Sequence, residues 1–228
     1  MRASTLLAIA CFAVSLSAQE PFSPAQLQTG AAPALPVMAV GGGQVLLELS
    51  IGADGRVSDV KPLRTTPPFT DLLTESVRAW RFRPAEDADG STSRAGSRGP
   101  VASKVLVAGL FRPPALNMPT IGEPPKDGAP AFDETAFPLT TTLPAFPPQA
   151  NRSGVVLIEA RIDRGGQVAE TKVLRSSPPF DDAARQAVGS WIFRPARLHD
   201  AYASTLVYVV LGFAAPVTTG VPVTITSK

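Results

Sequence analysis

The sequence predicts an α+β protein of two tandem β-β-α-β modules, each a small antiparallel sheet covered by one helix. Three observations carry this. Residues 33–85 match residues 144–196 without a gap, ending in WRFRPA at 80–85 and WIFRPA at 191–196. Self-similarity of this kind means one structural unit used twice. Each copy holds two apolar, largely alternating runs around a glycine turn, the pattern of a hairpin. Each then shows apolar residues at helical spacing, followed by a last apolar run.

Within each copy, QVLLELSI (44–51) and VVLIEARI (155–162) are the first strands. GADGRV and DRGGQV supply Asp-Gly and Gly-Gly, which tolerate positive φ in a tight turn. VSDVKPLR (57–64) and VAETKVLR (168–175) are the return strands. TTPPF and SSPPF break the sheet, because proline cannot donate to a ladder. The helix of the first copy carries Phe69, Leu72, Leu73, Val77 and Trp80 on one face. That of the second carries Phe180, Ala184, Ala187, Val188 and Trp191. Thr70 and Asp181 are candidate caps, and FRPA ends each helix before Pro84 and Pro195. SKVLVAGLF (103–111) and STLVYVVLGF (204–213) are the last strands. Trp80, Phe82, Trp191 and Phe193 are expected to close the core at the helix end.

The organisation that follows is a signal peptide over 1–18, a first module over 30–112, a Pro-rich linker over 113–143, a second module over 144–214 and a tail over 215–228 with a short strand at Val221–Thr226. The chain has 228 residues and 24 prolines, many of them clustered in the linker, which is expected to run over the surface. The insertion AEDADGSTSRAGSRGPVAS of the first copy reads as a loop. At the N-terminus, Arg2 precedes an apolar run from Leu6 to Leu16 and small residues at Ser15, Ser17 and Ala18, the layout of a cleaved secretory signal. A membrane-crossing helix needs about 20 apolar residues. Cys11, the single cysteine, lies inside that run and is alternatively a lipid attachment point. Cleavage leaves no thiol and no disulfide framework.

Chemistry is sparse. Lys and Arg number 21 against 19 Asp and Glu, too even a balance to indicate nucleic acid as the partner. The single histidine, His199, sits in a loop. Asp54, Asp163, Asp181 and Asp182 fit turns and caps better than acid–base roles. The run Gly41-Gly42-Gly43 precedes a strand rather than a helix, so it makes no dinucleotide site, and no Cys/His metal spacing is present. Glu48 and Glu159 hold the same strand position in the two copies and read as an exposed strand face, or as a polar contact to a partner. These features indicate a binding or interaction protein rather than an enzyme, with no cofactor, no metal and no small-molecule substrate.

The second copy resembles the C-terminal domain family of TonB, the energy transducer of Gram-negative envelopes. The resemblance rests on Phe146-Pro147, Gly154-Val155, Gly166-Gln167-Val168, Ser176-Ser177, Asp182-Ala183-Ala184 and Trp191-Ile192-Phe193-Arg194-Pro195-Ala196. The first copy resembles it more weakly, through Leu35-Pro36 and Thr65-Thr66. What this implies is a periplasmic domain that binds an extended segment of an envelope protein, an outer-membrane TonB-dependent receptor, by adding a strand to its last β-strand. By that resemblance the binding edge is Leu206, Val207, Tyr208, Val209, Val210, Leu211, Gly212 and Phe213, with Val105–Phe111 as its counterpart in the first copy. A cleaved N-terminus leaves no anchor through which force could be transmitted. A retained one would make the chain an inner-membrane transducer with ExbB–ExbD as partners. A further reading is structural: the two modules pair edge to edge and cover each other's binding strands.

Overall fold

The computed structural model describes residues 22–36, 41–87, 99–112, 121–122, 135–198 and 201–215. The signal peptide with Cys11, the tail strand at Val221–Thr226 and His199 lie outside the described residues. In chain order the first half holds β1 (Phe22–Ser23), β2 (Gln26–Thr29), β3 (Gly43–Ile51), β4 (Val57–Arg64), α1 (Phe69–Arg78), β5 (Arg81–Arg83), β6 (Ala85–Asp87), β7 (Gly99–Val101) and β8 (Ser103–Arg112). The second holds β9 (Ile121–Gly122), β10 (Phe137–Thr142), β11 (Gly154–Ile162), β12 (Val168–Arg175), α2 (Asp181–Gly189), β13 (Ile192–Arg194), β14 (Ala196–Leu198), β15 (Ala201–Ala203) and β16 (Thr205–Phe213). The class is α+β, mostly strand with two helices among the described residues.

The main sheet has six strands in the order β12-β11-β16-β8-β3-β4. All its neighbours are antiparallel except the central pair, β16 and β8, which run parallel from Val207–Leu106 to Phe213–Arg112. Two separate antiparallel sheets were expected. The structure joins them into one mixed sheet, because a last strand left at an edge would present a row of unmet N–H and C=O groups.

One helix covers each face. On one face Phe69, Leu73 and Val77 of α1 pack with Val45, Leu47, Leu49 and Ile51 of β3 and Val105, Val107 and Phe111 of β8. On the other, Phe180, Ala184 and Val188 pack with Val156, Ile158, Ala160 and Ile162 of β11 and Val207, Val209, Leu211 and Phe213 of β16. Strand alternation then leaves each half a second apolar face that its own helix does not reach.

The other half supplies the cover. Leu157, Leu206, Tyr208 and Val210 of the second half lie in one core with Ala25, Ala32, Trp80 and Phe82 of the first. Leu46, Leu106, Ala108 and Leu110 of the first half lie in one core with Ala136, Phe137, Phe146, Trp191 and Phe193 of the second. The two roofs are built alike: β2 pairs with β5, and β10 pairs with β13. The segment expected as a surface linker thus contributes a half-buried strand, β10, and strands already form ahead of residue 30.

The repeated motif has a structural cause. The tryptophans are buried, and their indole N–H groups donate to Ala31 O at 2.8 Å and Thr142 O at 3.1 Å, holding each roof down. FRPA was expected only to end the helix. The helices stop earlier, at Arg78 and Gly189, and the motif continues as β5 and β13. Phe82 N donates to Gly55 O and Phe193 N to Gly166 O, both at 2.8 Å. Gly55 and Gly166 have φ of 76° and 83°, and a Cβ on them would stand 1.9 Å and 2.0 Å from the Phe82 and Phe193 carbonyl oxygens. The glycine turn and WxFRPA are therefore two sides of one contact.

The expected caps act differently. The residues preceding the helices are Pro68 and Phe180, and no side chain caps either N-terminus. Thr70 and Asp181 lie inside the first turn, too far along to meet its amides. Their side chains reach back to the preceding turn, accepting from Thr66 N and Ser177 N at 2.8 Å.

Candidate partner-binding edges

Leu206–Phe213, the edge that the resemblance assigns to partner capture, is not an edge. Residues 206–213 pair with β11 on one side, residues 207–213 pair with β8 on the other, and β16 is buried throughout. Its counterpart Val105–Phe111 is likewise enclosed, between β16 and β3. The backbone groups that an added strand would need are already bonded inside the chain. Among the described residues, the outer strands of the sheet are β4 and β12. Both are partly exposed along their length. Pro62 interrupts β4 by removing one donor. No proline lies in β12, whose Glu170 and Lys172 are the kind of charged edge side chains that discourage unspecific pairing. Beside it a polar hollow of about 140 Å³ is lined by Gln26, Glu159, Arg161, Glu170, Lys172 and Leu206.

Tyr208 sits where the two halves meet, and the sequence reading missed its role. Its hydroxyl accepts from Leu27 N at 2.7 Å and donates to Glu159 Oε2 at 3.1 Å. Its ring lies edge-on to Trp80 and Phe82, at centroid distances of 6.1 and 5.6 Å. Burial, followed by the negative charge of Glu159, pushes its pKa well above the usual tyrosine value, although the Leu27 N–H opposes this. The clue available was a single hydroxyl in the otherwise apolar run Leu206–Phe213. In the matching register of the first half the residue is Leu106.

Glu48 and Glu159 were expected on an exposed face, but both are buried, because each half roofs the other. Glu48 lies 3.6 Å from Lys104 Nζ. Asp54 and Asp163 occupy the turns: Asp54 Oδ1 accepts from Arg56 N, and Asp163 Oδ1 accepts from Gly165 N and Gln167 N. Asp182 is bonded to Arg185 on the surface of α2. Among the described residues no group of three or more His, Cys, Asp or Glu side chains converges on a metal-sized site, and no helix is long and apolar enough to cross a membrane.

Residues 142–210, from the end of β10 into β16, match the family described as Gram-negative bacterial TonB protein C-terminal. No curated protein matches the chain.

Proposed function

We propose that this is a periplasmic TonB-like interaction protein of envelope transport, built from two tandem β-β-α-β modules that work as one body. TonB C-terminal domains belong to the Gram-negative periplasm and meet outer-membrane proteins, which supports an envelope protein as partner. The observation that carries the reading is the parallel pairing of β8 with β16. It fills from within the edge at which a partner strand would add, and two shared cores hold it closed. The protein therefore presents a fixed surface instead of an open last strand, and an extended partner segment adds at the outer strand β12.

A covalent lock tests this. Ala108 and Val209 are register partners across the central pair. The full chain carrying Ala108→Cys and Val209→Cys, in a Cys11→Ser background, is oxidised and titrated with the periplasmic N-terminal peptide of an outer-membrane TonB-dependent receptor. Equal binding by the locked and reduced forms, with shifts confined to β12, is the expected result. Binding lost on locking and recovered on reduction would return the site to Leu206–Phe213. No binding by either form would leave the structural role alone.

A further inference from the structure

β12 is the outer strand of the main sheet on the side of the second half, and among the described residues no strand pairs with its outward edge. Which strand such an edge accepts is decided by its side chains. The middle of β12 reads Glu170, Thr171, Lys172. The acid and the base are two residues apart, so they stand on one face of the sheet. Both are exposed.

That face is charged in rows. Glu170 stands across from Arg161 of β11, and Lys172 stands across from Glu159. Arg161 Nε lies 3.7 Å from Glu170 Oε2. Charge therefore alternates along both rows, in opposite order. The polar hollow lined by these four side chains leaves both rows open in front. Opposite charges directly across a ladder favour pairing, and like charges oppose it. The next strand outward must then carry a base beside Glu170 and an acid beside Lys172. In an antiparallel strand the acid comes first and the base two residues later.

That is the order of β12 itself. A two-fold axis through Thr171 sets Glu170 opposite Lys172 of a second copy, and Lys172 opposite Glu170 of that copy. Thr171 then faces Thr171 of the second copy, and Ala169 faces its Val173, so small or apolar side chains meet on the helix-covered face. At the far side of the sheet β4 carries the same order in Asp59, Val60 and Lys61. There Pro62 stands where β12 has Val173, each one place beyond the lysine paired with Glu48 or Glu159, and proline removes a donor. Self-pairing is thus favoured at one edge only, which gives a closed pair rather than a growing chain of copies.

We propose that β12 is a self-pairing edge, through which two copies of this chain join antiparallel about Thr171 into one continuous sheet. The pairing does not depend on the partner proposed above. It uses the same strand, so a bound partner segment and a second copy exclude each other.

Sedimentation equilibrium of the full chain over a concentration series tests this. The wild type is expected to pass from monomer to dimer as concentration rises. Lys172→Glu sets acid against acid in both rows, and Glu170→Lys sets base against base. Each variant alone is expected to raise the dimer dissociation constant by roughly tenfold or more. An equal mixture of the two variants places an acid of one chain beside a base of the other in each row, and dimer is expected to return. Its return also shows that both variants are folded. A wild type that stays monomeric throughout, variants that dimerise as tightly as the wild type, or a mixture no tighter than either variant alone overturns the proposal.

Discussion

Tyr208 and Leu27 are joined by a hydrogen bond of 2.7 Å between a backbone amide of the first half and a side chain of the second. The same hydroxyl donates to Glu159 at 3.1 Å. One oxygen thus holds the N-terminal roof on the sheet and satisfies a buried carboxylate, neither of which phenylalanine could do.

Tyr208→Phe removes the acceptor for Leu27 N–H and the donor to Glu159, leaving both unpaired. A loss of about 1–3 kcal/mol is expected. Urea denaturation measures it, and hydrogen exchange at Leu27 should quicken by more than the global loss explains.

The same residue sets an alkaline limit. Its folded-state pKa lies above its ordinary value of 10.0. The folded chain therefore keeps a proton that the unfolded chain gives up. This contribution is complete below pH 10 and drains away as pH rises beyond it. Stability of the wild type should fall above about pH 10. Tyr208→Phe should fall less steeply there, and equal slopes would contradict the assignment.

Gly55→Ala and Gly166→Ala each push a methyl group into a carbonyl oxygen and force a side chain into positive φ. Each is expected to cost roughly 1–3 kcal/mol. Gly189→Ala, at the end of α2 with nothing within 4 Å of the new Cβ, should instead gain up to about 1 kcal/mol. Thermal melts of the three variants give the comparison directly.

Because both cores draw residues from both halves, the halves should unfold together. Calorimetry of the full chain is expected to give a single transition whose calorimetric and van't Hoff enthalpies agree. Two resolved transitions would mean that the β8–β16 junction carries little of the stability.

The strands and helices were readable in the sequence to within about a residue for β3, β4, β11 and β12. Alternation and glycine turns act locally, and the repeat gave each element two readings. What escaped was non-local. Nothing in LVYVVLGF says that its second neighbour is the parallel strand VLVAGLF rather than a partner. Both strands are apolar on both faces, as any strand in the middle of a covered sheet must be. The roofs escaped because β2 and β10 are short and lie beside prolines. That same cover turned Glu48 and Glu159 from expected surface residues into buried ones. Leu206–Phe213 was taken for an edge for the same reason: which strand is outermost is a property of the assembled sheet and not of the strand itself.

The reciprocal roofs also bear on how such a chain can change over time. Deleting either half would strip the cover from Leu157, Tyr208 and Val210, or from Leu46, Ala108 and Leu110, and leave a broad greasy face open to water. Each half is thus tied to the other by the face it covers. Neither half can be discarded without uncovering the other, and substitutions on one side of the junction are constrained by the side chains they meet on the other.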